Sequence, residues 1–197
     1  MFNDLLAGVD PIYVRIAAVV ILALLAFIAV ATYNRIAKLA SLCDRAGADI
    51  DVQLRQRHDM IPNLVESVRG FTQHERGIVD ALMAARAAAM RAASPQERDK
   101  AEGEVTLRLG AILATVENYP EVKGSQHFLQ LSREIADVEN KISATRRFFN
   151  MTVAEYNATL SQFPGFAIAW LFRSSPRALF DIGPQREAVE QAPAVRF

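Results

Sequence analysis

Few residues in this chain have side chains suited to chemistry. There are three histidines, His58, His74 and His127, and one cysteine, Cys43. The densest grouping is "RQRHDMIP", where Arg57, His58 and Asp59 are consecutive and Pro62 follows. An imidazole beside a carboxylate and a guanidinium is the raw material of general acid–base catalysis. A zinc hydrolase would need two imidazoles at H-E-x-x-H spacing, and a bundle metal site would need Glu-x-x-His pairs. Neither pattern occurs, so a metal site would have to be assembled from separate helices. His74 is followed by Glu75, but Glu75 has a simpler role as the capping partner of Thr72. Cys43 as a nucleophile would need a neighbouring base and a lowered pKa. No base is visible, and a small buried apolar role suits its place on the seam. There is no G-x-S-x-G elbow and no phosphate-binding glycine loop. A hydrolase or metalloenzyme built on His58 is therefore the weakest reading, and no cofactor is expected.

A structural reading of the same cluster is stronger. The run Ile50 to Gly70 has helical periodicity, with Arg57 and His58 straddling its apolar seam. Pro62 has no N–H to give the carbonyl of His58, four residues back, so a kink is expected there. Buried polar groups must be paired. Asp59, or Glu134, Asp137 and Glu139 from a facing helix, could pair Arg57 and His58. Together Arg57, His58, Asp59 and Pro62 read as a polar lock that fixes helix register more than it adds stability.

The elements that hold this cluster begin with an apolar run, "IAAVVILALLAFIAVA", Ile16 to Ala31, that carries no charge. Extended to Tyr33 it makes about 27 Å of helix, close to the thickness of a bilayer core. Tyr13 and Tyr33 sit where interfacial aromatics belong, and Arg15 can snorkel. The acidic N-terminal flank and the poor cleavage site "ATYNR" favour an uncleaved anchor over a signal peptide. Arg35, Lys38 and Arg45 follow the span, so the positive-inside rule puts the N-terminus outside and the larger part in the cytoplasm. Lys and Arg balance Asp and Glu at 22 each, which argues against nucleic acid as a partner.

The rest reads as helix. No alternating strand pattern or hairpin signal is present. The first helix continues from the anchor to about residue 69 along a four-and-three stripe: Ile36, Ala40, Cys43, Gly47, Ile50, Leu54, Arg57, Ile61, Leu64 and Val68. Capping boxes at Thr72–Glu75 and Ser94–Glu97 open helices over 73–93 and 95–119, and Pro120 closes the latter. A fourth helix, 126–163, carries Phe128, Leu131, Ile135, Val138, Ile142, Phe149, Tyr156 and Leu160 at bundle spacing. The expected fold is all-α: an antiparallel four-helix bundle, up-down-up-down with two long helices, adjoining a transmembrane helix. The boundaries are a short segment 1–11, an anchor 12–33, a bundle 34–163, an aromatic segment 164–182 and a mobile tail 183–197.

That topology returns the fourth helix to the membrane side. The aromatic segment then holds Phe166, Ile168, Trp170, Leu171 and Phe172, with Arg173 and Arg177 beside them. It is too short to span, and it suits either an interfacial position or a cap on the bundle core. In the second helix, Ala84, Ala85, Ala88, Ala89 and Ala92 form a small-residue stripe. It could be an association face, or it could simply be what a tightly packed bundle requires.

The segments "DVQLRQRHDMIPNLVESVRGFTQHE", "ENYPEVKGSQHFLQLSREIADVENKISATRRFFN", "YNATLSQFP", "PRALF" and "APAVRF" resemble the LemA family of small bacterial membrane proteins. The resemblance runs from about residue 33 to 197. It implies an N-terminal anchor followed by an antiparallel helical bundle, with no established catalytic activity. It also implies a link to organelle-membrane formation in some relatives and to membrane proteases in others. The expected function is a non-enzymatic scaffold or adaptor at the bacterial inner membrane. Its partners would be the lipid bilayer, other membrane proteins (a membrane protease among them) and copies of itself. The alternative is a membrane-shaping or envelope-biogenesis factor.

Overall fold

A computed structural model of the chain describes residues 11–68 and 75–180, which are helices and their connections, with no strand among them. Among these residues the helices are α1 (Pro11–Ser67), α2 (Arg76–Arg91), α3 (Pro95–Val116), α4 (Pro120–Lys123), α5 (Gln126–Ser161) and α6 (Gly165–Leu171). The first ten residues, the Gly70 stop, Thr72 of the first capping box and the tail 183–197 lie outside the described residues.

The chain forms two compact units. One takes Met1–Asp44 and Met151–Ala178, the other Arg45–Asn150 and Leu179–Phe197. Both α1 and α5 contribute to each.

In the second unit, one apolar core draws on four helices: Ile61, Leu64 and Val68 of α1, Leu82, Ala85 and Ala89 of α2, Val105, Leu109, Ile112 and Val116 of α3, and Phe128, Leu131 and Ile135 of α5. Full burial of a Leu or Ile side chain stabilises by about 1.5–3 kcal/mol, so this core is the main source of order. Beside it, Ile50 and Leu54 of α1 pack with Val138 and Ile142 of α5. The start of α3 is set by local chemistry. Ser94 Oγ accepts from the Glu97 N–H at 3.2 Å, Glu97 Oε2 accepts from the Ala93 N–H at 3.1 Å, and Pro95 takes the first helical position.

In the first unit the buried residues include Ile36, Leu39 and Cys43 of α1, Val153, Tyr156 and Leu160 of α5, and Ala169 of α6. Ahead of them, α1 from Ile12 to Val30 carries exposed apolar side chains, among them Leu22 and Phe27. It is long and apolar enough to cross a membrane.

Several details differ from the sequence reading. The α1 stripe passes through Leu39 and Ala46, which are buried, while Ala40 and Gly47 are only half-buried. The drift arises because 3.6 residues per turn does not keep a strict seven-residue repeat on one line. α3 ends at Val116, short of residue 119, because the N–H groups of Glu117, Asn118 and Tyr119 turn back to carbonyls three residues earlier. Pro120 then opens the one-turn α4 at its first position, where its missing N–H costs nothing.

Candidate functional site

The polar cluster lies in the second unit and centres on a carboxylate from α3. Arg57 is 1% exposed and Glu102 also 1%, and the Arg57 guanidinium forms an ion pair with Glu102 Oε2. The same guanidinium donates to Glu139 Oε1 of α5 at 2.7 Å, to Thr106 Oγ1 at 2.7 Å and to the Glu102 carbonyl at 3.3 Å. His58 Nε2 lies 2.9 Å from the other Glu102 oxygen. An ionised carboxylate only accepts, so Nε2 carries the proton and donates. Burial pushes the Glu102 carboxyl up, but the His58 hydrogen bond, the Arg57 charge and the His58 charge outweigh it, and the net direction is down. Arg146 of α5 stands close by, its guanidinium carbon 4.6 Å from the Phe180 ring centre. Burial and then the Arg57 charge lower the Arg146 pKa, against the opposing pull of Asp99, Glu102 and Glu139.

The Pro62 problem is solved across helices. α1 runs unbroken through Pro62, and the carbonyl of His58 accepts from Arg86 Nε of α2 at 2.8 Å. A side chain thus supplies the donor that the proline withholds.

The ion network can hold α1, α3 and α5 in one relative position, and the Arg86 bond adds α2. The His58–Glu102 pair has the orienting half of a general-base dyad. The other ring nitrogen, Nδ1, is buried without a hydrogen-bond partner among the described residues, so no hydroxyl or thiol stands ready to be activated. Nor do three His, Cys, Asp or Glu side chains converge as a metal site among the described residues. Cys43 is buried, and burial pushes its thiol up, opposed but not reversed by the Arg177 charge. That is the wrong direction for a nucleophile.

Other suggested residues fall as follows. Asp59 is exposed and forms no part of the lock, since the next position along α1 from His58 turns off the buried face. Asp137 pairs with Lys141 at 2.6 Å, and Glu134 accepts from Gln130 at 2.9 Å, each one turn along α5. His127 is exposed and His74 lies outside the described residues. Ala85 and Ala89 are buried in the core of their own unit, so they cannot belong to an outward association face. Ala84 and Ala88 are exposed, and Ala92 is half-buried. Tyr13, Arg15, Arg35 and Lys38 are exposed, and Arg35 Nη2 reaches Glu155 Oε1 at 3.5 Å.

In the first unit, Phe166, Trp170, Leu171 and Phe172 are exposed, and Ile168 is half-buried. Arg177 is not free for a headgroup. Its guanidinium pairs with Asp44 Oδ1 at 2.5 Å and lies 5.5 Å from the Tyr156 ring centre. The hydrogen bond from Arg177 holds Asp44 below its ordinary value.

Sequence reasoning missed Glu102, Arg86 and two asparagines. Continuing the α3 stripe back three residues from Val105 lands on Glu102, a carboxylate at a core position. The asparagines each follow an aromatic on α5, at "FN" and "YN". Asn157 Oδ1 accepts from the Arg177 N–H at 2.9 Å, and its amide nitrogen donates to the Arg177 carbonyl at 2.9 Å. Asn150 makes the same pair of bonds with Phe180, at 2.8 and 3.1 Å.

Comparison with known proteins adds a lineage. The LemA family model matches residues 46–197. The chain is similar to the protein named LemA from Metamycoplasma hominis, 22% identical over 160 residues that cover 79% of this chain and 72% of that protein. It is also similar to magnetosome protein MamQ from Magnetospirillum gryphiswaldense, 31% identical over 64 residues. That match covers 32% of this chain and spans only 24% of the magnetosome protein's length.

Proposed function

The chain belongs to the LemA family, and from that premise we propose that it is a non-enzymatic scaffold anchored in the bacterial inner membrane by α1. In this reading residues 12–33 span the bilayer, the N-terminus lies outside, and α1, α2, α3 and α5 form an antiparallel up-down-up-down bundle on the cytoplasmic side. The bundle presents surfaces to other membrane proteins, a membrane protease among them, or to a second copy. The observation that carries the reading is α1 itself. One unbroken helix begins as an exposed apolar run and continues to Arg57, where a buried ion network fastens it to α3 and α5. Every strong charge in that network is turned inward onto another, which suits holding helices in place and leaves no reactive group at a surface.

Extraction of native membranes with alkaline carbonate, followed by crosslinking in mild detergent and mass spectrometry, tests both halves of the proposal. Retention in the membrane pellet and a reproducible crosslinked partner or dimer are expected. Release from the pellet would remove the anchor, and a monomer without crosslinks would remove the scaffold. A second reading, a membrane-shaping factor, is favoured by the likeness to a magnetosome protein and by the exposed aromatics of α6. It predicts altered vesicle diameter on reconstitution, which a pure scaffold does not.

A further inference from the structure

α6 is built with its small residues inward and its large ones outward. Gly165 and Ala169 are buried, whereas Phe166 is 55%, Trp170 83% and Leu171 63% exposed. The inward face is fixed by close approach, because a methyl group at Gly165 would overlap the backbone carbonyl of Thr159. The helix is therefore seated tightly on its smallest side, and the residues that gain most from leaving water stay in it. Phe163 and Phe172, 82% and 54% exposed, extend the same apolar surface at either end.

Two observations in the first unit say what covers it. The Phe172 ring lies 4.6 Å from the Tyr33 ring, centre to centre. Tyr33 ends the exposed apolar run of α1, so Phe172 lies level with the end of that run. The second observation is Arg173, which has φ 54° and closes α6 in a left-handed turn. The N–H of Ser174 returns to the Ala169 carbonyl at 2.9 Å, and that of Arg173 to the Trp170 carbonyl at 3.4 Å. This is the helix ending that normally takes glycine, because any side chain there costs about 1–2 kcal/mol. The Arg173 guanidinium is exposed and pairs with nothing among the described residues. An arginine kept where glycine fits better, beside an open hollow of about 550 Å³ lined by Ala169, Trp170, Leu171, Arg173 and Ser174, is not explained by the fold.

We infer that α6 and its closing turn form a second membrane contact, which takes the surface of an anionic lipid leaflet. Phe166, Trp170, Leu171 and Phe172 enter the boundary between headgroups and acyl chains, and Arg173 meets lipid phosphate. The inference rests on the anchored reading above, since Tyr33 sets the depth. Arg177, held by Asp44, takes no part.

Trp170 is the only tryptophan in the chain, so its emission reports this site alone. The full chain is reconstituted into phosphatidylcholine vesicles, with and without phosphatidylglycerol, whose acyl chains are brominated near the headgroup. Expected are blue-shifted emission, loss of most of the Trp170 signal to bromine, poor quenching by aqueous acrylamide, and stronger bromine quenching when phosphatidylglycerol is present. Arg173→Gly should abolish the phosphatidylglycerol increment while the thermal midpoint stays level or rises, and Arg173→Glu should reverse the increment. Chain that floats with the vesicles but escapes bromine overturns this inference and spares the anchor. Shielding from both quenchers means that protein covers the patch, which also overturns it. An increment that survives Arg173→Gly removes the role of Arg173 and with it the anionic-lipid assignment. Chain that does not float with the vesicles overturns the anchor and this inference together.

Discussion

Arg86 of α2 donates to the main-chain carbonyl of His58 of α1 at 2.8 Å, and that carbonyl is the one that Pro62 leaves without its helical donor. The two features belong together. A proline inside a helix normally leaves an orphan acceptor, and here the orphan is the attachment point for another helix. Arg86→Ala should destabilise the protein by about 1.5–3 kcal/mol, the range for a hydrogen bond from a charged donor. Pro62→Ala restores an N–H opposite the His58 carbonyl. In that background the cost of Arg86→Ala should shrink, and a double-mutant cycle by urea unfolding measures the difference. Additive costs would show that Arg86 serves some other purpose.

The Arg57–Glu102 pair is buried on both sides. Glu102→Ala leaves the guanidinium to Glu139, to Thr106 and to the main-chain carbonyl of residue 102, and a loss of up to about 3–5 kcal/mol is expected for removing one partner of a buried pair. Replacing both partners with leucine should recover most of that loss, because the pair contributes specificity more than net stability. Equilibrium denaturation of the two single variants and the double variant decides the point. A double variant that stays as far below the parent as the single variants would mean that the pair is a net stabiliser, and fully additive costs would mean that the two residues are not coupled.

Acid should loosen the protein through Glu102. Its carboxyl lies below the ordinary glutamate value of 4.5 because the bonds from His58 and Arg57 outweigh burial. A lowered folded-state pKa means that the unfolded chain takes up the proton first as pH falls. The stability from this group is fully present above about 4.5 and is lost as pH drops through the folded value. Thermal midpoints measured from neutral to acid pH should fall steeply in the parent protein and less steeply in Glu102→Gln. Identical slopes would assign the acid sensitivity elsewhere.

Asn157 holds Arg177 by two bonds of opposite sense, and the variants can separate them. Asn157→Asp keeps the acceptor and loses the donor, so the Arg177 amide should stay protected from hydrogen exchange. Asn157→Leu loses both, and protection at that amide should vanish with about 1 kcal/mol per bond. Equal exchange in the two variants would contradict the geometry.

The all-helical character was legible because periodicity, capping residues and glycine and proline punctuation all point the same way. The Ser94 box is visible in four letters and forms as those letters suggest. Arg57 could be seen to need a carboxylate, and Glu139 is among those its spacing suggests. Glu102 could not be ranked first, because which helix faces Arg57 depends on packing between elements far apart in sequence. The alanine stripe of α2 shows the same limit. Its spacing is equally good for an inner or an outer face, and only the burial of Ala85 and Ala89 separates them. The asparagine bonds were invisible because they join α5 to backbone atoms, which any residue type can supply.

Those asparagines have a further consequence. A side-chain amide offers one donor and one acceptor side by side, just as a peptide group does. Asn150 and Asn157 therefore each act for Phe180 or Arg177 as one rung of a neighbouring strand would. Residues 174–180 belong to no helix or strand, and backbone groups left unpaired in such a segment are otherwise an open template for another chain to pair with. Here the backbone groups of these two residues are already taken by a helix, so they offer no pairing to another chain.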